Sequence, residues 1–524
     1  MKLSRKLILI CFVIAPIVIH FCFLTSTIIN FPTWGDDFLF FELIEHLQKD
    51  SSWGFIQFLF KPHNYIHLVV FGKLLVLMEY FILESLQLKW IIIYANLLLL
   101  GISFTFYRYL KIQQYSLEYL IPIVCFLFAP FASIDNYNLI GVVTHTASLL
   151  FLTLIANLVA KRRQSLTLLL LLGIYPLVAT EGWGMLPLMG IYMFITHHPM
   201  KKSVLVMSVF ALAGLGYLII QQPTSTASSS FVQLLIQSPL ALLTFLGNIA
   251  WPLSDTYKIA INTTIGGSLL IISLWSMWNN RNNRSTWEFP VIIWLQVLLT
   301  GTMICIGRSQ GSTIATLVLS ERFYSYSSFA GIACYLMLVP IMKRSAKNKM
   351  FIIISSMIYY LGSCYYFFSN QSQLRNRLLA DLTNAYQQSA STSYPVESSP
   401  LRSMVHAPFY KVLSGDLLSL QIPKNSLFKP IQVIIEKHSI GQFSLKFPAI
   451  PEKNSPREQR WLAIQSITHP DSTFFVAFVS DKAHKPKIIR INSLQLTDLN
   501  QKNFWLYSKS EDGQEKAIYL GSLK

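Results

Sequence analysis

Two adjacent aspartates, Asp36 and Asp37, follow the first long apolar run, in the stretch Phe31-Pro-Thr-Trp-Gly-Asp-Asp-Phe38. Neighbouring carboxylates repel each other, so each needs a cation, a hydrogen-bond donor or solvent to compensate its charge. Such a carboxylate can act as general base on an acceptor hydroxyl, and Asp37 can hold a divalent metal, Mg²⁺ or Mn²⁺, through oxygen. The pair can also open a helix through residues 41–47, and neighbouring acids can divide the capping and chemical roles.

A second polar stretch, Lys61-Pro-His-Asn-Tyr-Ile-His67, contains two histidines four positions apart. His63 and His67 share one face if this segment is helical, and there they can hydrogen-bond a substrate or contribute to a metal site. For two histidines without a third ligand, packing at a membrane interface is the commoner explanation. We therefore treat them as candidate substrate-binding residues.

Two arginines bracket a later polar segment, in Gly307-Arg-Ser-Gln-Gly311 and Ser320-Glu-Arg-Phe-Tyr324. Arginine suits a bidentate grip on phosphate, so Arg308 and Arg322 are candidate phosphate-binding residues. The alternative is anchoring at the membrane interface, or an ion pair between Glu321 and either arginine.

A single acid, Glu181, lies in Thr180-Glu-Gly-Trp-Gly184, which we predict to be a tight turn between two apolar segments. Acids placed just after membrane helices, on one side of the bilayer, are where a site at the water boundary is built. Glu181 is therefore a third candidate substrate-binding residue.

Long apolar segments must position all these side chains. The 524 residues are 53% hydrophobic and only 13% charged, about half the charged share of an ordinary soluble domain. A run of about 20 apolar residues can span the hydrocarbon of a bilayer. We take the N-terminal run as a retained helix rather than a signal peptide, and predict eleven crossings near 7–29, 90–107, 119–134, 139–160, 165–180, 184–197, 203–220, 262–278, 287–307, 323–342 and 349–368.

Basic clusters between the crossings set the orientation, because cytoplasmic loops carry the excess of Lys and Arg. This places the N-terminus inside and the C-terminus outside, and it accounts for the net charge of +17 without nucleic acid. Residues 65–83 are apolar, but counting them as a crossing would reverse every later loop, so we expect them to lie along the outer face. We expect residues 221–261 to form a long outer loop whose apolar part lies in the interface.

The predicted fold is an all-α polytopic membrane bundle of about eleven transmembrane helices, followed by a C-terminal extracytoplasmic β-rich (α+β) domain. Residues 1–370 form the bundle, with an outer loop at 30–65, residues 371–400 a helix and linker, and residues 401–524 the outer domain. Runs rich in Val, Ile, Phe and Tyr predict strands there, at 431–436, 442–447, 473–479, 487–491 and 504–508. All six cysteines fall in apolar segments, where we expect them to be buried.

Taken together, these motifs resemble the GT-C superfamily of integral membrane glycosyltransferases, which includes protein O-mannosyltransferases and bacterial lipid A aminoarabinose transferases. The resemblance covers residues 1–370 and rests on Trp34-Gly-Asp-Asp-Phe38, on the two histidines, and on the two arginine motifs before a late helix. Asp-Asp stands where the best-known members have Asp-Glu, so either carboxylate can be the catalytic one, with or without a metal.

The resemblance implies an inverting transferase with a polyprenyl-phosphate sugar as donor and an envelope glycan or lipid as acceptor. Asp36 or Asp37 would activate the acceptor or bind a divalent metal, and Arg308 or Arg322 would hold the donor phosphate. Amphipathic helices in the first outer loop would accommodate residues 65–83. The implied location is the inner membrane of a bacterium, with the C-terminal domain in the periplasm and membrane lipids, not nucleic acid, as surroundings.

Two other classes compete with this interpretation. A transporter or lipid flippase typically shows inverted repeats with broken helices at mid-membrane, and the sequence contains no such repeat. The third class is a non-catalytic protein of envelope assembly, with the C-terminal domain as its binding module. Replacement of Asp36 and Asp37 distinguishes a transferase from these two classes, because a transporter or scaffold should tolerate that change.

Overall fold

The computed structural model of the chain describes residues 2–32, 35–63, 68–130, 137–162, 165–220, 231–249, 255–281, 284–307, 323–343, 345–386 and 407–410, together with seven strand segments between 434 and 522. Two compact units emerge, and each is considered by itself. The first, here called the helical unit, comprises Met1–Leu24, Glu42–Leu77 and Ile91–Phe367. The second, here called the mixed unit, comprises Thr25–Phe41, Met78–Trp90 and Phe368–Lys524.

Helices account for most of the described residues. Helices α1–α6 span Lys2–Thr27, Leu39–Lys49, Ser52–Phe60, Val70–Leu83, Leu88–Asn96 and Leu98–Ile112. Helices α7–α11 span Leu120–Leu127, Leu139–Ala160, Leu166–Val178, Glu181–Ile195 and Lys201–Ile220. Helices α12–α16 span Phe231–Leu246, Asp255–Asn279, Arg284–Gly307, Tyr324–Met342 and Ala346–Tyr386. Two 3₁₀ turns, Gly35–Phe38 and Leu117–Tyr119, precede α2 and α7.

Seven helices in the described part of the chain are long and apolar enough to cross a bilayer. They are α1, α5 and α6 taken together as one continuous span (Leu88–Ile112), α8, α13, α14, α15 and the first part of α16. The predicted crossings at 119–134, 165–180, 184–197 and 203–220 overlap α7, α9, α10 and α11. The eight residues of α7 reach only about 12 Å at 1.5 Å per residue, well short of a hydrocarbon core. Eleven crossings therefore stay a prediction.

The helical unit has a central layer and a periphery. Helices α8, α14 and α15 bury most of their surface, whereas α1, α13 and the first part of α16 bury little. The exposed faces of these outer helices are apolar, as an apolar solvent such as lipid allows. Two of the six cysteines, Cys11 and Cys22, lie on the exposed face of α1, so the expectation that all are buried is wrong for these two.

Close backbone contact joins α12 and α13. A Cβ on Gly247, just after α12, would lie 1.8 Å from the carbonyl oxygen of Asn262, and a Cβ on Gly266 would lie 1.8 Å from that of Leu243. Only glycine lets the two backbones approach this closely, as at small-residue crossings in membranes. The expectation of one long loop over 221–261 is therefore wrong, because α12 lies there and buries Phe245 in the core of the helical unit.

Residues after the first helix form three short helices, α2 to α4, and a buried lysine stabilises the end of α3. The Nζ of Lys73, on α4, donates to the carbonyl oxygens of Phe58, Leu59 and Lys61 at 2.7, 3.2 and 3.0 Å. The Phe58 oxygen also accepts from the Lys61 amide at 3.1 Å, and a helix otherwise leaves its last carbonyls unsatisfied. Burial, followed by the charge of Lys61, lowers the pKa of Lys73 to about 8.

The C-terminal region contains two antiparallel sheets. Strands β1 (Ile434–Ser439), β2 (Gln442–Phe447) and β5 (Lys487–Asn492) form the first, in the order β1-β2-β5. Strands β3 (Gln459–Ser466), β4 (Thr473–Ala477), β6 (Lys502–Lys509) and β7 (Glu515–Ser522) form the second, in the order β4-β3-β6-β7. Within the mixed unit, Tyr410 donates a hydrogen bond to the carbonyl oxygen of Asn30, and the amide of Leu86 donates to Phe409 at 2.7 Å.

Candidate functional site

Glu181 begins α10, directly after a two-residue break that follows α9. The prediction of a turn through residue 184 is wrong, because Trp183 and Gly184 already belong to the helix. A Cβ on Gly182 would lie 2.4 Å from the carbonyl carbon of Tyr175, so only glycine fits where α10 starts against the end of α9. An acid in the first turn is also favoured by the positive end of the helix dipole.

The Glu181 carboxylate contacts a buried phenol from a distant part of the chain. Tyr326, in the first turn of α15 and 2% exposed, donates its hydroxyl to Glu181 Oε1 at 2.5 Å. That separation is typical of a charge-assisted O–H···O⁻ bond. In the described part of the chain no hydrogen bond to the other carboxylate oxygen, Oε2, is present, and Glu181 itself is only half-buried. The carboxylate therefore has one oxygen fixed and one oxygen available.

Further polar groups surround this pair. The hydroxyls of Tyr175 and Ser148 share a hydrogen bond of 2.8 Å. Tyr175 and Tyr326 both lie close enough to Glu181 to interact electrostatically with its carboxylate. Gln296, on α14, donates its Nε2 to the backbone oxygen of Glu181 at 3.3 Å. We call these five residues the Glu181 cluster.

The amide of Gln296 has an unsatisfied acceptor. The residue is 2% exposed, and its Oε1 is buried without a hydrogen-bond partner among the described residues. Flipping the amide gives no relief, because a carbonyl oxygen only accepts, so the amide nitrogen has to face Glu181 O. A buried acceptor without a donor costs about 1–3 kcal/mol, which a bound group with an O–H or N–H would recover.

A local irregularity in α8 borders the cluster. Residues Val142–Thr146 form a π turn, and the ring of His145, within it, packs edge-on against the Tyr326 ring at 5.4 Å. Single π turns inserted in α-helices occur frequently at functional sites. The turn places an aromatic ring from α8 beside the hydroxyl that Glu181 binds.

A second glutamate of the helical unit, Glu288, is buried more deeply than Glu181. Glu288, on α14 and 1% exposed, accepts from the Tyr192 hydroxyl at 3.0 Å and pairs with Arg162 Nε at 3.5 Å. Here both carboxylate oxygens have a partner, one phenol and one guanidinium. Glu288 therefore has the composition of a structural ion pair, whereas Glu181 keeps an oxygen for another group.

The paired aspartates belong to the mixed unit. Both lie in the 3₁₀ turn Gly35–Phe38, which leads directly into α2, so the helix expected over 41–47 begins at Leu39. Asp37 is fully buried, as are Phe31 and Phe40 beside it in sequence. Aspartate is almost never fully buried unless its charge is compensated.

The remaining predicted site residues are only partly described. His63 is half-buried and lies outside any helix, because Lys61 ends α3 in an extended conformation before a proline. The condition for a face shared by His63 and His67, a helical segment, is therefore not met at His63. His67, Arg308 and Arg322 lie outside the described residues, as does the side chain of Asp36.

A divalent metal at Asp37 would need further ligands close to that carboxylate. In the part of the chain that the structure describes, no three His, Cys, Asp or Glu side chains converge in the manner that a metal site needs. A divalent metal at Asp37 therefore stays a prediction.

Sequence patterns missed most of the Glu181 cluster. Tyr326 and Gln296 lie 145 and 115 positions from Glu181, each in a long and largely apolar helix. The one sequence signal for Tyr326 was its position two residues after the second arginine motif. His145 carried none, because a π turn has no distinctive sequence.

Seven long apolar helices with lipid-compatible outer faces are what an integral membrane protein requires. No protein-family model, curated protein or solved structure matches the chain.

Proposed function

We propose that the protein is a GT-C-type membrane glycosyltransferase that moves a sugar from a polyprenyl-phosphate donor to an envelope acceptor on the extracytoplasmic face. The observation that carries the proposal is the burial of Asp37 immediately after the first apolar helix. A buried carboxylate has to be compensated by its surroundings, so the fold holds Asp37 in a fixed position, as a general base requires. A bundle of about eleven crossings with a β-rich outer domain over 401–524 belongs to the same proposal.

The reaction follows from the residue types. Asp36 or Asp37 takes the proton of the acceptor hydroxyl as its oxygen attacks the anomeric carbon of the donor sugar. The bond between that carbon and the phosphate oxygen breaks, and its electron pair leaves with the polyprenyl phosphate. Arg308 or Arg322 stabilises the negative charge that develops on the leaving phosphate. In-line displacement inverts the anomeric centre, and adjacent carboxylates cannot straddle a sugar as those of a hydrolytic glycosidase do.

Replacement of Asp37 tests the proposal. Asp37→Asn keeps the size of the side chain but removes the base, so we expect a loss of transfer of about 10²- to 10⁴-fold. The measurement is mass spectrometry of envelope glycans and lipids in a deletion strain of the source organism, complemented with each variant. Product is scored as the mass of one added sugar.

Glu45→Gln is the matched control. Glu45 is an acid on the neighbouring α2 that forms only a surface pair with Lys49 at 3.3 Å, so its replacement should leave product unchanged. Detection of each variant in purified membranes confirms insertion. Full product with both Asp36→Asn and Asp37→Asn would refute catalysis by this pair and favour a transporter or an assembly protein.

A further inference from the structure

We propose that the Glu181 cluster binds the hydroxyl groups of a neutral sugar; the inference rests on the proposed function for the source of that sugar. The cluster is part of the helical unit, and its ligand chemistry follows from the atoms that lack partners. These are Glu181 Oε2 and the buried Gln296 Oε1. Both are acceptors, so the missing group is a donor.

Hydroxyls fit the cluster better than other donors or than an anion. Ser148 and the Tyr175 phenol each donate or accept, so a ligand that does both can replace or extend their shared bond. An ammonium group could donate to these acceptors but could not accept a hydrogen bond from Ser148 or from the Tyr175 phenol. A phosphate has only acceptors and would be repelled by the carboxylate.

Ring contacts support the same ligand. His145 and Tyr326 meet at an interplanar angle of 64°, which makes an aromatic corner beside the carboxylate. Pyranose rings have apolar C–H faces and hydroxyl edges, and aromatic side chains with a few fixed polar groups are the usual lining of small-molecule sites. The Glu181 cluster supplies both kinds of surface.

Direct binding tests this inference without requiring transfer. The full-length protein in lipid nanodiscs is mixed with methyl glycosides of glucose, mannose and galactose, and saturation-transfer NMR reports which probes bind. Glucose 1-phosphate and ethanolamine serve as the anionic and ammonium probes. We expect signals from at least one methyl glycoside and none from the two charged probes.

Two variants and a matched control assign the signals to the cluster. Glu181→Gln converts an acceptor into a donor, and Tyr326→Phe releases the carboxylate, so each should weaken glycoside binding about tenfold, as for a hydrogen bond to a charged group. Tyr192→Phe removes the same kind of tyrosine–glutamate bond at Glu288. It should leave glycoside binding unchanged.

A further arm identifies the source of the sugar. Competition by a glucosyl diacylglycerol built into the nanodisc indicates a lipid-linked sugar, and retained signals indicate a water-soluble glycan; both agree with the inference. Binding of ethanolamine instead of the glycosides overturns it. So do glycoside signals that Glu181→Gln and Tyr326→Phe leave unchanged.

The outcome for this site is separable from that for sugar transfer. Glycoside binding is measured on the purified protein, whereas sugar transfer is measured as envelope product. If binding depends on Glu181 while envelope product is independent of Asp36 and Asp37, the sugar site stands and the transferase proposal is wrong. If envelope product depends on Asp36 and Asp37 while glycoside binding does not depend on Glu181, the Glu181 site is wrong and the transferase proposal stands.

Discussion

Glu79, on α4 in the mixed unit, is a carboxylate whose charge is poorly compensated. It is 5% exposed, Oε2 accepts from the Gln87 amide at 3.3 Å, and Oε1 has no partner among the described residues. Burial raises its pKa from 4.5 to about 7, against the opposing effect of the Gln87 amide. The protonated acid is therefore the form that the folded chain prefers.

This pKa makes stability depend on pH. Below pH 4.5 Glu79 is protonated in the folded and unfolded chain, so its contribution to stability is complete. Between pH 4.5 and 7 the unfolded chain ionises first, and the free energy of unfolding falls as pH rises. Glu79→Gln should remove this slope, measured as the apparent thermal unfolding midpoint in detergent across that range.

Glu84→Gln is the control for that measurement, because Glu84 follows α4 directly and is exposed. It should keep the slope of the wild type. An unchanged slope in Glu79→Gln would assign the pH dependence to other groups.

At the same scale, the sequence indicated which residue types carry chemistry but not which of them meet. Glu181 could be singled out because an acid between two apolar segments is conspicuous. Its partners could not, since Tyr326 reaches Glu181 only because α10 and α15 both pack against α14. Hydrogen-bonding partners at such separations depend on helix packing, which local pattern does not specify.

At the scale of elements, the crossing of α12 and α13 is the most sensitive contact. Gly247→Ala or Gly266→Ala would force a methyl group into a backbone carbonyl 1.8 Å away, so the helices must separate. We expect a loss of several kcal/mol, as for severe overpacking, and a large fall in the yield of monodisperse protein on size exclusion.

Gly267→Ala is the matched control, because it lies next to Gly266 on α13 and a Cβ there has no neighbour within 4 Å. That variant should behave like the wild type or gain slightly from the higher helix propensity of alanine. Equal behaviour of Gly266→Ala and Gly267→Ala would contradict the close crossing.

Elements were predictable where apolar length decides the outcome. The expected crossing at 139–160 coincides with α8, and 262–278 falls within α13. Segment 231–246 was assigned to an interface instead of the core, because apolar residues facing lipid and apolar residues facing protein look alike in sequence. The break between α9 and α10 was predicted over residues 180–184, later in the chain than the structure has it. Gly182 suits a turn and a tight helix start equally well, so the sequence does not distinguish the two.

At the scale of the whole molecule, the charge pattern predicts orientation. Ser116, between α6 and α7, and Lys347, at the start of α16, should face the cytoplasm, and Ser52, at the start of α3, should face outward. The measurement is labelling of single-cysteine variants by a membrane-impermeant maleimide. Ser52→Cys should label in intact cells, and Ser116→Cys and Lys347→Cys only after permeabilisation.

The unmodified chain provides the labelling background, because its six cysteines lie within apolar helices. Labelling of Lys347→Cys in intact cells would reverse the orientation. The proposed site would then face the compartment opposite to the one that the transferase reaction requires.

The Lys73 contacts bear on the order in which the chain acquires structure during synthesis. Helix α3 emerges from the ribosome before its closing cation, which is encoded 12 to 15 positions later than the carbonyls it binds. All three N–H donors of the Lys73 ammonium are used in these contacts. The C-terminal end of α3 should thus remain frayed until α4 has been translated and Lys73 can reach it.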